Sequence, residues 1–178
     1  GFFPIMMFAL PGAALAIYHT AKPERKKVTG GVMMSVALTA FLTGITEPLE
    51  YAFAYVAFPL YLVHALLTGS SLALCNALGI KDGFGFSAGL TDYIINFGRA
   101  TELSGGPGKV LLLILIGVVY AVIYYVVFRF AITKWNLRTP GREDEGDDAA
   151  GGASVFDEAQ LAASQSTGKA DAQKEGRV

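Results

Sequence analysis

Residues 28–80 form a stretch of 53 residues that carries only two formal charges, Glu47 and Glu50. An ionised side chain at the centre of a bilayer costs about 2.5–3.5 kcal/mol even on lenient insertion scales, so long runs without charge suit a membrane. Residues 110–128 contain no charge, and their nineteen positions approach the roughly 20 that a helix needs to cross the hydrocarbon. The sequence therefore predicts an all-α integral membrane protein with transmembrane helices.

The two charges lie beside a break in the apolar pattern. Pro48 lacks an N–H and disfavours helix at the preceding residue, Glu47. Such non-helical backbone is tolerated at membrane depth where protein buries it or where it lines a wet cavity. Apolar segments 28–46, 49–80 and 110–133 number three, whereas an even number of crossings is needed if both flanks are cytoplasmic. We therefore predict a re-entrant helical hairpin with its tip near Glu47.

Basic residues on both flanks indicate the cytoplasmic side. Lys22, Arg25, Lys26 and Lys27 follow the first apolar run, and Arg129, Lys134 and Arg138 follow the last one, as the positive-inside rule describes. The first 21 residues carry no charge. They lack the basic region of a secretory signal, and Pro4 and Pro11 are expected to interrupt the run. The chain is expected to have lost an N-terminal part.

Composition divides the chain into two regions. Residues 1–141 carry a net charge of +4 and residues 142–178 a net charge of −5. The second region is rich in Ala, Gly, Ser and Gln, so it is predicted to be an acidic, disordered linker or tail. Residues 81–109 contain many glycines with interleaved aromatics and are predicted to be a loop.

Several classes of function are excluded by what the sequence lacks. A basic apolar body with an acidic tail is not the pattern of a nucleic-acid binder. Cys75 is the single cysteine, so it forms neither a disulfide framework nor a cysteine metal cluster and is expected to be a small buried hydrophobe. No phosphate-binding GxxxxGK[ST], HExxH, CxxC or GxSxG occurs. No metal or cofactor is expected.

Seven segments, in this order and at this spacing, resemble a known family. They are 1–8 (GFFPIMMF), 10–11 (LP), 42–50 (LTGITEPLE), 60–61 (LY), 64–69 (HALLTG), 85–93 (GFSAGLTDY) and 136–144 (NLRTPGRED). Together they resemble the C-terminal half of the membrane-embedded IIC domain of phosphotransferase-system (PTS) sugar permeases of the glucose/N-acetylglucosamine superfamily. The resemblance covers about residues 1–145. Its opening segment is more similar to N-acetylglucosamine permeases, whereas residues 18–23 are closer to the glucose branch.

The resemblance implies a multi-pass permease of the bacterial cytoplasmic membrane. Such a protein binds its sugar in a buried site and releases it as the 6-phosphate, with the phosphoryl group supplied by a cysteine on a IIB domain. The expected partners are N-acetylglucosamine or glucose, IIB and IIA phosphocarrier domains, membrane lipid and a second copy in a homodimer. The IIB signature is absent around Cys75, so the chain would act as one part of a sugar phosphotransferase.

Glu47 is the leading candidate for a sugar ligand. A carboxylate accepts hydrogen bonds from hydroxyl groups, and an intramembrane carboxylate is functional by default. It is expected to be held out of water, and the resemblance assigns this motif glutamate to substrate. Glu50 lies three positions further on and shares a helical face with it. Thr46 supplies a hydroxyl and Gly44 a close backbone approach, although both also suit an ordinary hairpin tip.

Two further residues complete the predicted substrate-binding set. His64 can donate a hydrogen bond to the sugar or to the phosphoryl group, but a lone histidine in an apolar run also suits packing. Asp92 either orients the site or pairs with Arg99. His19 precedes the basic loop and is expected at the membrane interface.

Two alternatives to a phosphotransferase-system permease remain open at the level of sequence. In an ion-coupled secondary transporter, Glu47 would carry a proton, because broken helices and midplane carboxylates suit that class equally. A fragment without transport activity would merely assemble with other membrane chains.

Overall fold

The computed structural model describes residues 1–55 and 57–142, and within them every regular element is a helix. The predicted all-α fold is confirmed. A π-helical segment, Pro4–Ala9, leads into α1 (Leu10–Thr20), which is followed by α2 (Lys26–Thr43), α3 (Glu47–Ala54), α4 (Phe58–Ala77), α5 (Leu90–Ser104) and α6 (Pro107–Trp135). The predicted disordered tail, apart from Arg142, lies outside the described residues.

Two helices among the described residues are long and apolar enough to cross a bilayer. They are α4 and α6, with mean hydropathies of 1.5 and 2.9. The charge-free run 110–128 lies within α6, as expected. Leu66 on α4 and Val122 on α6 are exposed at mid-helix, and large exposed apolar surfaces of this kind suit contact with lipid or with further protein.

The first apolar run is one helix rather than an interrupted one. The prediction that Pro4 and Pro11 break it is wrong: the chain is helical from Pro4 to Thr20. The Leu10 N–H donates to the carbonyl oxygen of Ile5, five residues back. This wider π turn ends directly before Pro11, whose ring would otherwise crowd the carbonyl four residues earlier.

Helices α1 and α6 form the centre of the packed core. Their backbones approach closely, since a Cβ atom on Gly12 would lie 2.6 Å from the carbonyl oxygen of Ala121. A Cβ atom on Gly117 would likewise overlap the ring of Phe8. Small residues at helix crossings permit this close van der Waals contact, which drives helix association where the surrounding lipid is itself apolar.

The two basic flanks meet on one side of the molecule. The Lys22 N–H donates to the carbonyl oxygen of Gly141 at 2.9 Å. The guanidinium of Arg142 donates to the carbonyl oxygen of Thr20 at 3.0 Å, at the end of α1 where helix carbonyls lack intrahelical partners. This contact agrees with the expectation that both flanks lie on the same side of the membrane.

The predicted break in the long apolar region occurs where Pro48 was expected to cause it. Helix α2 ends at Thr43 and α3 begins at Glu47. The apolar segment 49–80 divides into the short α3 and the longer α4. The re-entrant course of this break through a membrane stays a prediction.

Residues 90–104 contradict the predicted loop over 81–109, because they form α5. Glycines mark its boundaries: Gly89 precedes the first residue, and Gly105 follows the last one with φ of 78°. Of the glycines in residues 81–109, only Gly98 lies inside α5. Tyr93 on the buried face of α5 donates through its hydroxyl to the carbonyl oxygen of Val110, 2.7 Å away, and so joins α5 to α6.

Candidate functional site

Three of the predicted site residues come together where α3 packs against α4. The hydroxyl of Thr46 donates to Oε1 of Glu50 at 2.9 Å. Nε2 of His64 lies 3.7 Å from the same carboxylate oxygen. Thr46 and His64 are buried, while the side chain of Glu50 is 22% exposed. The cluster thus has a polar interior and one accessible edge.

The apolar side of α3 sets the orientation of this cluster. Leu49 and Phe53 are fully buried, and the Phe53 ring packs edge-on against Phe128 of α6 with centroids 5.2 Å apart. The same ring lies 5.9 Å from the imidazole of His64. Because Glu50 lies next to this buried face, burying Leu49 and Phe53 brings its carboxylate against α4.

Tyr124 of α6 is a member of the cluster that the sequence analysis missed. Its hydroxyl lies 3.0 Å from Nδ1 of His64 and donates to the carbonyl oxygen of the same residue at 3.2 Å. One turn earlier on α6, the hydroxyl of Tyr120 lies 2.7 Å from Oγ of Ser70. The i, i+4 spacing of the two tyrosines places them on one face, and that was the available signal.

Glu47 does not have the buried setting that was expected. Its side chain is exposed in this chain, and Oε2 accepts a hydrogen bond from the Thr46 N–H at 3.1 Å. Its position in the first turn of α3, away from Leu49 and Phe53, accounts for the exposure. Both carboxylates nevertheless converge on Thr46: Glu47 on its N–H and Glu50 on its hydroxyl.

Gly44 contacts the loop before α5 instead of a cavity. It ends α2 with φ of 75°, a left-handed conformation that favours glycine. Its carbonyl oxygen accepts a hydrogen bond from Oγ of Ser87 at 2.8 Å. A Cβ atom on Gly89 would overlap the backbone nitrogen of Gly44 and the carbonyl carbon of Thr43. The two glycines therefore allow backbone-to-backbone contact.

Asp92 holds that loop and does not join the cluster. Its carboxylate accepts three backbone N–H hydrogen bonds, from Gly85 at 3.2 Å, Phe86 at 3.1 Å and Ser87 at 2.8 Å. These bonds, with that of Ser87 the largest, keep the pKa of Asp92 below its usual value. The carboxylate therefore binds the backbone of the loop, whereas the sequence also allowed pairing with Arg99.

A cavity of about 220 Å³ lies beside this loop. None of the predicted site residues lines it; its walls are Gly83, Phe84, Gly85, Asn96, Arg99, Ala100 and Leu103.

Cys75 is buried on α4, as expected. His19 is exposed at the end of α1, where its Nδ1 lies 2.8 Å from the Tyr125 hydroxyl.

Similarity to known proteins identifies the family of this chain. The family model described as "Phosphotransferase system, EIIC" matches residues 1–69, which include α1, α2 and α3. The N-acetylglucosamine-specific EIIC component of the Streptomyces coelicolor PTS is 56% identical over 145 residues, or 82% of this chain. The chain belongs to the phosphotransferase-system EIIC family. The resemblance drawn from the sequence is confirmed.

Two further EIIC relatives carry additional components in their names. The N-acetylglucosamine-specific EIICB component of Bacillus subtilis is 54% identical and the EIICBA component of Escherichia coli 53% identical, each over 148 residues and 83% of this chain. The chain spans 33%, 31% and 22% of the Streptomyces, Bacillus and Escherichia proteins. It therefore corresponds to about a third or less of each of these three proteins.

Proposed function

We propose that this chain forms part of a phosphotransferase-system permease that carries N-acetylglucosamine across the bacterial cytoplasmic membrane and couples entry to 6-phosphorylation. The chain is 53–56% identical to three N-acetylglucosamine-specific proteins of the phosphotransferase system. This identity supports a role in that system and favours N-acetylglucosamine over glucose as the substrate. The apolar helices α4 and α6 support a multi-pass membrane location. Glucose is the alternative substrate, because it shares every hydroxyl except the one replaced at C2.

The observation that carries the proposal is the convergence of Glu47 and Glu50 on Thr46. Glu50 is held in place by Thr46 and faces His64, whereas Glu47 presents an exposed carboxylate beside them. An ionised carboxylate accepts hydrogen bonds at two oxygens, so it can hold adjacent hydroxyl groups in a fixed orientation. In this arrangement Glu47 is the direct sugar ligand, while Glu50 and His64 form the wall beside it.

Gly44 and Asp92 contribute to this proposed site in other ways. The Gly44 carbonyl is already occupied by Ser87, so Gly44 contributes backbone geometry more than a ligand atom. Both oxygens of Asp92 are used by the loop, so its part is indirect. Hydration lost by the sugar on entry is replaced by Glu47 and the polar groups around Thr46.

The phosphoryl step requires groups from partner domains. The EIICB and EIICBA names of two relatives support IIB and IIA components as partners. In the proposed step, the S–P bond of a IIB phosphocysteine breaks and a bond from phosphorus to O6 of the sugar forms. The O6 proton passes to solvent and the cysteine is left as a thiolate. This chain supplies sugar binding and orientation, in a complex for which a homodimer and surrounding lipid are also proposed.

The product carries a charge that the substrate lacks. A phosphomonoester adds about −1.5 to −2 charges at neutral pH. Glu47 and Glu50 lie close to the proposed sugar position and repel that charge, more strongly where water is scarce. We infer that this repulsion favours release of the sugar phosphate.

Vesicle uptake tests the proposal against its main rival. Vesicles hold the complete product of the gene, the phosphocarrier proteins and phosphoenolpyruvate, and receive labelled N-acetylglucosamine or glucose. We expect accumulation of N-acetylglucosamine 6-phosphate that depends on phosphoenolpyruvate. Uptake of unmodified sugar that depends on a proton gradient would instead establish an ion-coupled transporter, in which Glu47 would carry the proton.

A further inference from the structure

The carboxyl end of α2 is held by side chains from outside the helix. Helix carbonyls in the last turn have no intrahelical donor. Two of them receive hydroxyl donors from the segment 85–92, which we call the α2 brace. Oγ1 of Thr91 donates to the carbonyl oxygen of Leu42 at 2.9 Å, and Oγ of Ser87 donates to that of Gly44 at 2.8 Å.

At Gly89 the backbone of the α2 brace lies directly against the backbone at the end of α2. The space beside Gly89 is filled by the backbone of Thr43 and Gly44. Gly44 in turn has no room for a side chain, because a Cβ atom there would lie 2.6 Å from Oγ of Ser87. A shift of the brace therefore moves the end of α2 directly, without a flexible side chain to absorb it.

The brace itself is anchored to a membrane-spanning helix. Asp92 binds three successive N–H groups of the brace, and its own carbonyl oxygen accepts from Nδ2 of Asn96 at 3.0 Å. The next residue, Tyr93, reaches the backbone of α6 at Val110. A continuous set of hydrogen bonds thus runs from α6 through the brace to Gly44, two residues before Thr46.

We propose that Ser87 and Asp92 are positioning residues for the sugar site, acting through Gly44 on the carboxylate of Glu47. Neither residue contacts the sugar in this role. Ser87 fixes where α2 ends, and Asp92 fixes the shape of the loop that presents Ser87. The role rests on the proposed function, because it assumes that the sugar binds at Glu47.

A double-mutant cycle separates positioning from a general loss of stability. Ser87→Ala is compared in the Glu47 and Glu47→Gln backgrounds, with Thr101→Val as the matched control, since Thr101 loses a hydroxyl bond inside α5 alone. Losing one part-buried hydrogen bond that aligns the site should raise the sugar KM about fivefold with kcat within about twofold. In the Glu47→Gln background the effect should fall below about twofold, because coupled residues are not additive.

The conservative variants give the complementary readout. Ser87→Thr retains the hydroxyl donor and should restore the KM, whereas Asp92→Asn places an amide against backbone N–H groups and should raise it. Equal KM changes for Ser87→Ala in both backgrounds, or an equal change for Thr101→Val, would show a purely structural role and overturn the proposal.

A labelling measurement tests the brace without sugar. The thiol introduced by Glu47→Cys in a Cys75→Ala background is reacted with a water-soluble maleimide, with and without Ser87→Ala. Releasing the end of α2 should change the labelling rate by at least about threefold, while Thr101→Val should leave it unchanged. An identical rate with Ser87→Ala would refute the brace even if the native protein transports sugar. Conversely, a changed rate would support the brace even if the native protein binds no sugar and the proposed function fails.

Discussion

Oε1 of Glu50 lies 3.7 Å from Nε2 of His64, so a carboxylate at the start of α3 faces an imidazole on α4. The two residues are separated by the junction between these helices, and Thr46 and Tyr124 hold one partner each. Placing polar side chains such as Glu50 and His64 among apolar helices costs free energy unless their hydrogen bonds are satisfied.

Tyr124→Phe removes the hydroxyl that contacts Nδ1 of His64. Without this contact, the imidazole of His64 is no longer held in place beside Glu50. Because His64 and Glu50 lie beside the proposed sugar position, the KM for the sugar should rise about two- to tenfold. Tyr125→Phe is the matched control, because the neighbouring hydroxyl contacts His19 and Arg129 instead. Equal KM values for the two variants would show that Tyr124 only packs. The measurement is sugar phosphorylation in vesicles over a range of concentrations.

Gly89→Ala should destabilise the protein. The new methyl group would overlap the backbone at Gly44, and overpacking of this kind typically costs about 1–3 kcal/mol. Gly98→Ala is the control, because nothing lies within 4 Å of its added Cβ atom and alanine favours a helix interior by roughly 0.5–1 kcal/mol. Unfolding in detergent micelles should therefore show opposite signs for the two variants. Equal effects would contradict the close contact of Gly89 with Gly44.

Asp82→Asn should stabilise the protein at pH 7.5. Both carboxylate oxygens of Asp82 are shielded from solvent and find no well-formed hydrogen bond among the described residues, and burial raises the pKa of Asp82 to about 6, although the nearby Gly83 N–H opposes the shift. Since the unfolded value is 3.8, the folded state binds the proton more tightly, and the native protein gains stability as the pH falls through 6 towards 4.

The stabilising effect of Asp82→Asn should therefore shrink between pH 7.5 and pH 5. Thermal unfolding in micelles at both pH values measures it, with Glu102→Gln as a control at an exposed position on α5. An effect of the same size at both pH values would mean that the carboxylate is not in a desolvated setting.

Glu50→Gln tests the inferred release step. Glutamine keeps an oxygen that can accept from Thr46 but removes the negative charge. If repulsion drives release, the sugar phosphate should leave this variant several-fold more slowly, about a factor of ten for each 1.4 kcal/mol of lost repulsion. Stopped-flow release of labelled product from vesicles gives the rate. A rate equal to that of the native protein would remove charge repulsion from the mechanism.

The large-scale architecture was predictable from charge placement. Residues 110–128 lack charge over a full membrane thickness, and α6 contains them. The break before Glu47 followed from the missing N–H of Pro48, and α2 ends where expected. These features depend on the chemistry of residues that are neighbours in the chain, so they can be predicted from the sequence.

The missed features depend on contacts between distant segments. The glycines around α5 suggested a loop, although Gly89 and Gly105 only mark the helix ends. Pro11 suggested a break that a π turn avoids. Tyr124 lies 60 residues from His64; its i, i+4 spacing from Tyr120 marks a shared helix face but does not show which distant residue that face meets. The exposure of Glu47 likewise depends on which face of α3 becomes buried.

Equilibrium binding of N-acetylglucosamine to the complete product of the gene, native and Glu47→Gln, tests the central claim most directly. Removing one charged acceptor should weaken binding by about tenfold or more, while Glu102→Gln at an exposed position on α5 should bind as the native protein does. Native affinity in the Glu47→Gln variant would contradict a sugar site at Thr46, Glu47 and Glu50.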